Sequence, residues 1–419
     1  MRCRIALFLT FWPGFIGPTW GAPTQPTALP ASNCPSPEAL AVVRAENLPA
    51  LSGKPVPQIT LLHYRDGQLS PITSQIDQRD SEGRYLLENN AATGDPAKLG
   101  PDDEIVFRLS ESAARLPAGT TGSTAASLVE VEVRDLQNRR AGWVYAGVSD
   151  HAAKASSGTH ISYQAESDSA ATGVYKIGFS SRHPFLVDSF QWRLGTTDWS
   201  PNVLDAMKIR HQGLMFGFIP FRRTSRDYSS RLTRVKTGPL RIIRRTENNV
   251  RILWQLKTPA LYVDYVMMPD SFIMDTIVDI PFNLGLFFSD VETLTTVDWR
   301  NGPALPQLMV RSPGITSGLV ATGRMTEGKT RFNTISDTRF SVHSDYGVIF
   351  IQLDIPDDFP IQPWLYLNDR AEATDPPENQ PGQFANVGYR TTGWENIDTE
   401  VHHLKFTACM ATAEAQHGP

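Results

Sequence analysis

Residues 231–256, RLTRVKTGPLRIIRRTENNVRILWQL, join the clearest strand pattern of the chain to its densest positive charge. Leu240 and Ile242 fall on one side of a first arm. Val250, Ile252, Trp254 and Leu256 alternate along a second, and Glu247-Asn248-Asn249 supplies turn chemistry between them. The pattern predicts a hairpin decorated with arginines at the remaining positions.

Charge is unevenly distributed around this stretch. From Lys208 to Arg251 there are twelve Lys and Arg against two acidic residues, Asp227 and Glu247, although the whole chain carries a formal charge of -5. A basic patch on an acidic protein focuses an anionic ligand such as an acidic polysaccharide, and Arg223, Arg234, Arg241, Arg244 and Arg245 are the residues expected to bind it. Two other readings of the same arginines remain. They could pair with acids of neighbouring strands or of an acidic first domain, or dock onto an acidic envelope partner. No nucleic-acid motif accompanies the charge, so nucleic acid is not an expected partner.

The amino terminus reads as a secretory signal peptide over residues 1–21. Arg2 and Arg4 precede an apolar run broken by Pro13 and Gly14, and Thr19-Trp20-Gly21 forms a small-residue cleavage site. Release into the periplasm or medium is expected, with no transmembrane anchor, because no later segment reaches the roughly 18 apolar residues a span requires. Residues 22–36 read as an extended leader. Beyond Cys3, only Cys34 and Cys409 remain. An even pair in an oxidising compartment predicts a disulfide stapling the N-terminal arm to the last strand, with two buried thiols as the alternative. For so large a loop, chain entropy sets an upper figure of roughly 6 kcal/mol.

With 41% hydrophobic and 20% charged residues, and with 30 Gly and 31 Pro spread throughout, the chain has the composition of a turn-rich globular protein. It divides into an N-terminal β-sandwich over 37–150, a boundary over 151–173, a larger β-sandwich over 174–410 and a tail over 411–419. In the first unit 58–63, 105–109, 128–133 and 142–145 read as strands. The boundary is rich in Ser, Ala and Thr, with a further strand pattern in HISYQAE. In the second unit 174–179, 261–266, 272–280, 348–353, 364–367 and 403–407 carry β-branched or aromatic residues between turns. Only 203–211 reads as a short helix, and 375–382 as a surface loop. The fold class is therefore all-β, two antiparallel sandwiches with the second the larger.

Complete catalytic signatures are absent: there is no Gly-x-Ser-x-Gly, HExxH, P-loop or dinucleotide fingerprint. His211, Tyr228, Arg222 and Arg223 share one segment. A polysaccharide lyase needs a base such as His or Tyr and a cation to neutralise a uronate, so His211, Tyr228 and Arg222 are the catalytic candidates of an enzyme reading. Glycoside hydrolysis would draw a carboxylate pair from Asp264, Asp275, Asp290 and Asp298. Asp77, Asp80 and Glu82 lie around Gly83, where hard oxygen ligands could hold a structural calcium, although Arg79 interrupts the usual loop spacing. No other cofactor is indicated.

The segments 71–77 (PITSQID), 83–85 (GRY), 101–107 (PDDEIVF), 238–241 (GPLR), 388–390 (GYR), 393–394 (GW) and 403–406 (HLKF) resemble pieces of β-sandwich modules in secreted carbohydrate-active proteins and uncharacterised exported relatives. The resemblance implies architecture and carries over no catalytic residue. Together these observations point first to an exported binding or structural envelope protein with a face for an anionic ligand. An enzyme acting on acidic glycans comes second, and a subunit that docks on an acidic protein third.

Overall fold

The computed structural model describes residues 25–34, 36, 38–87, 97–117, 128–149, 158–253, 256–303 and 305–413. The signal peptide expected over 1–21 and the end of the tail lie outside these residues, as does Trp254. Among the described residues the chain is all-β, with a single short α-helix, Glu327–Phe332. No helix among them is long and apolar enough to cross a membrane.

The N-terminal unit is one continuous eight-stranded sheet folded over itself. Thr27–Pro30, inside the segment expected to be a leader, is the strand that joins its halves. It pairs in parallel with Val129–Arg134 and antiparallel with Leu40–Arg44. Alternation sets the faces. In Glu104–Arg108, Ile105 and Phe107 enter the unit's own core, while Val106 packs outward against Leu240 and Met268 of the second unit.

The second unit contains three sheets around one apolar core. A small sheet of five strands spans Ile161–Gln164 to Asp198–Trp199. A second five-stranded sheet, called here the short sheet, runs Ile219–Arg223, Leu204–Met215, Phe288–Trp299, Asn386–Thr392, Gln362–Asn368 in spatial order. The long sheet of ten strands starts at the edge strand Tyr228–Thr237 and continues through Ile242–Leu253, Leu261–Met267, Ser271–Asp279 and Val401–Thr412. The HISYQAE strand expected in the boundary is present as Ile161–Gln164.

Two local expectations are corrected. Residues 203–211 are not helical but form most of the strand Leu204–Met215, paired along its length with Phe288–Trp299. Cross-strand pairing with burial of both faces outweighs local propensity there. The hairpin also turns earlier than expected. Thr237 pairs with Ile242, so the turn is Gly238–Arg241, and Glu247, Asn248 and Asn249 are strand residues opposite Arg231, Ser230 and Ser229. Asn248 is buried without penalty because its amide donates to Thr246 Oγ1 at 3.0 Å and its oxygen accepts from Ser230 Oγ at 2.6 Å. Gly238 packs closely at the turn, where a Cβ would stand 2.1 Å from Gln75 Oε1 and force that side chain to shift.

Cys34 and Cys409 form a disulfide, with Cα atoms 5.4 Å apart across a sequence separation of 375. It ties the chain just after the first described strand to the centre of the long sheet.

Candidate functional site

The arginine-rich strand does not present one basic face. Along Ile242–Leu253 successive side chains point to opposite sides, so Arg244 and Arg245 diverge. Arg244 is buried, stacks 3.9 Å from the Phe179 ring centroid and pairs with Asp168. Arg245 pairs with Asp264 at 2.6 Å on the other side. Arg241, buried in the turn, holds both Asp77 and Glu104 of the N-terminal unit. Arg234 is exposed on the edge strand and donates to the Thr233 carbonyl at 2.9 Å. The expectation of Arg241, Arg244 and Arg245 as a ligand face is thus corrected: two are buried and all three are engaged by acids within the chain. The pairing with a first unit's acids, weighed as an alternative, is what Arg241 does.

The carboxylates expected around a calcium are also committed elsewhere. Asp77 is buried and accepts from Gln75 Nε2 and from Lys236 at 2.8 Å in addition to Arg241. Burial alone would raise its pKa, but Arg241 and Lys236 outweigh that and hold it below the usual carboxylate range. Asp80 caps its own turn through Arg84 N and Arg84 Nε at 2.9 and 2.8 Å, and Glu82 pairs with Arg84. Among the described residues no three His, Cys, Asp or Glu converge as a metal group would require.

The acids considered for glycoside hydrolysis do not face one another across an open cleft. Asp298 is buried against Lys208 at 2.7 Å, and burial pushes its carboxyl up to about 6 despite that cation. Asp264 and Asp275 are register partners on neighbouring strands, both buried, engaged by Arg245 and His403 respectively. Asp290 lies exposed at φ 52° in the strand Phe288–Trp299, at the register shift opposite Gly213. The segment 375–382 is a surface loop, as expected, and it is pinned by hydrogen bonds. Asp205 accepts from Asn379 N and Gln380 N at 3.1 and 2.8 Å, and Asp375 pairs with buried Arg210 at 2.7 Å.

His211 and Tyr228 do come together, in the wall of an apolar cavity of about 190 Å³ between the short and long sheets. Period-two alternation builds it. Ile209, His211 and Met215 face inward from Leu204–Met215, and Thr293 and Thr295 from Phe288–Trp299. Asn248, Val250 and Val263, then Met274, Thr276 and Val278, face them from the long sheet. His211 Nδ1 lies 2.8 Å from Thr293 Oγ1, and its Nε2 forms a short hydrogen bond with the Tyr228 hydroxyl. Tyr228 in turn stacks on Phe185, 4.7 Å between centroids. Burial in these apolar surroundings pushes the His211 imidazole down to about 4 and the Tyr228 phenol well up, so both are neutral at physiological pH. This Thr293–His211–Tyr228 chain is a hydrogen-bonded polar feature in a mostly apolar wall, which also carries Asn248, Thr276, Thr295 and Arg223.

Arg222, the third catalytic candidate, does not join it. Its guanidinium is largely exposed and pairs with Asp375 at 3.2 Å. Arg223 lines the cavity and donates to the Arg251 carbonyl at 2.7 Å, fastening the edge of the short sheet to the long one. His343, His402 and His403 bond Ser341, Asp398 and Asp275, away from the cavity. Thr293 was missed in the sequence. It becomes visible only once 204–215 is read as a strand, because then His211 needs a cross-strand neighbour.

No family model and no curated protein matches this chain. Among solved structures, the chain is similar to an α-mannosidase from Enterococcus faecalis V583, with TM-score 0.44 and 9% identity over 89% of this chain and 41% of that one. It is also similar to a protein of glycosyl hydrolase family 38 from Enterococcus faecalis, with TM-score 0.41 and 9% identity over 89% and 42%. The chain spans about two-fifths of the length of either. What the fold and site define is an all-β protein with an apolar chamber between two sheets and a neutral histidine in its wall.

Proposed function

We propose that this chain is an exported binding protein whose inter-sheet chamber holds an apolar molecule, such as the acyl chain of a lipid. The lining carries the proposal: aliphatic, aromatic and Met side chains from both sheets surround a space larger than the roughly 150 Å³ in which apolar cavities accept small hydrocarbons. The neutral His211–Tyr228 pair supplies one hydrogen-bonding point for the polar end of such a ligand. An acidic sugar would lose its hydration there against a mostly apolar lining whose cations are already engaged, Arg223 by the Arg251 carbonyl and Arg251 by Asp227, which disfavours the polysaccharide and lyase readings at this site. The disulfide supports export into an oxidising compartment.

The test is displacement of an environment-sensitive fatty-acid probe from the delipidated protein, run beside a panel of acidic and neutral polysaccharides. Saturable probe binding is expected to fall at least tenfold in Val263→Phe or Ile209→Trp, which fill the chamber. Salt-sensitive retention on a polysaccharide without probe binding would return the function to the glycan reading. New unsaturated or reducing ends that vanish in His211→Gln would return it to the enzyme reading.

A further inference from the structure

The chamber ends beside a surface carrying five of the eleven large hydrophobic residues exposed among the described residues, Phe216, Phe218, Ile219, Leu286 and Phe287. Phe216-Gly217-Phe218 forms the tip of the hairpin between Leu204–Met215 and Ile219–Arg223, with φ positive at Phe216 and Gly217. Beside it runs the turn 281–287, joined through the Phe216 N to Phe287 O hydrogen bond at 2.8 Å. Phe218 is 73% exposed, Leu286 71% and Phe216 56%. Large side chains in two adjoining turns have no packing reason to stand in water, and a contiguous group of them marks an interaction surface.

This surface is continuous with the interior. Phe282 and Phe288 line the chamber. Phe282 meets Phe287 edge-on at 5.8 Å between centroids, and Phe287 meets Phe216 at 6.4 Å. Cations flank one side. Arg222, Arg223 and Arg226 follow the tip in sequence, and Arg251 and Lys257 stand on the strands to which Arg223 is fastened, against the carboxylates of Asp227 and Asp375. Exposed Asp290 and half-buried Glu395 lie on the other side, in and beside Phe288–Trp299. Apolar tips projecting beyond a cationic flank match the boundary of a bilayer with anionic headgroups, where the rings enter the acyl region and the guanidinium groups remain at phosphate level.

We infer that the Phe216–Phe218 and Leu286–Phe287 turns dock this protein onto an anionic lipid surface, with the mouth of the chamber facing the membrane. Docking stands on the exposed turns alone. Passage of an acyl chain between bilayer and chamber rests on the proposed function.

Flotation of the full chain with phosphatidylcholine vesicles, with and without phosphatidylglycerol, tests it. Binding is expected to rise with the anionic lipid and to fall at least tenfold in Phe218→Asp and in Leu286→Asp. Both positions are exposed enough for the fold to tolerate the change, as an unaltered melting temperature will verify. Arg222→Glu with Arg226→Glu is expected to remove the preference for phosphatidylglycerol. The chamber-filling Val263→Phe should float like the wild type, which separates docking from ligand binding. Wild-type flotation of both aspartate variants overturns the inference. So does failure of the wild type to float, or a concentration-dependent dimer that those variants dissolve without any vesicle binding.

Discussion

Arg241 closes the boundary between the two units by bonding Asp77 and Glu104, carboxylates that face each other on neighbouring strands of the N-terminal sheet. Two buried like charges at register positions would repel, and the guanidinium between them turns that cost into a fastening. Arg79 adds a second cation on Glu104, and Tyr85 donates to the same carboxylate at 3.1 Å. Burial opposes ionisation of Glu104, but Arg241 and Arg79 outweigh it and keep its pKa below the ordinary value.

Replacing Arg241 by Met should therefore lower the unfolding free energy by about 3–5 kcal/mol, since both acids would be left buried without their shared partner. Denaturant titration at neutral pH measures it. Adding Asp77→Asn should restore part of the loss, a non-additivity expected for groups in one network. The pH sign follows from the lowered pKa values. The acids' contribution is complete above about pH 4.5 and is lost as pH falls through their depressed folded values.

The Cys34–Cys409 bond spans nearly the whole described chain. Its removal by Cys409→Ser should cost about 2–5 kcal/mol, mostly by freeing the unfolded chain. The difference between oxidised and reduced melting temperatures of the wild type should match the variant's loss. Equal stability of both forms would show that the bond constrains nothing the sheets do not already hold.

Gly238 gives a sharper local test. A methyl group there meets the side chain of Gln75, which is buried, donates to the Arg241 carbonyl at 3.0 Å and accepts from Arg241 N at 3.0 Å. Gly238→Ala should destabilise by about 1–3 kcal/mol through overpacking of this contact. Gly173, which like Gly238 is not at positive φ and where no atom lies within 4 Å of the added Cβ, is the control without a contact. If both alanine variants lose the same amount, the Gln75 contact is not the cause.

Much of the strand content was legible because alternation is a local property. The strands near 128–133, 261–266 and 272–280 appear where the pattern put them. The same rule already separated Arg244 from Arg245, because adjacent strand residues cannot share a face, yet charge density alone grouped them. The helix expected at 203–211 failed for the opposite reason. Met207, Lys208 and Arg210 are all buried, and only long-range partners, Asp298 for Lys208 and Asp375 for Arg210, make a doubly buried strand affordable. The turn at 238–241 was signalled by Gly-Pro, but Glu247-Asn248-Asn249 offered a competing polar run whose hydrogen bonds come from distant strands. His211 and Tyr228 were named together because they are close in sequence. The apolar chamber that neutralises both is lined from nine strands drawn from residues 204 to 412, and no local pattern contains it.

The chamber makes His211 the residue whose titration should report on the site. Its folded pKa of about 4 lies below the ordinary 6.5, so the unfolded chain takes up a proton that the native chain refuses. The contribution is complete above pH 6.5 and is lost as pH falls towards 4, by about 3 kcal/mol in total at 1.36 kcal/mol per pH unit. His160, His183 and His343 are also lowered and act in the same direction, whereas the raised His403 acts oppositely, so the wild-type profile alone cannot isolate His211. The difference between wild type and His211→Gln does. The variant should be less stable at pH 8, where Tyr228 and Thr293 lose their partner, and should lose less stability between pH 6.5 and 4. An apolar ligand filling the chamber should deepen the wild-type dependence, because it removes any remaining water from the imidazole. Parallel profiles for the two proteins would mean that the imidazole meets solvent, and the chamber would then be an open groove.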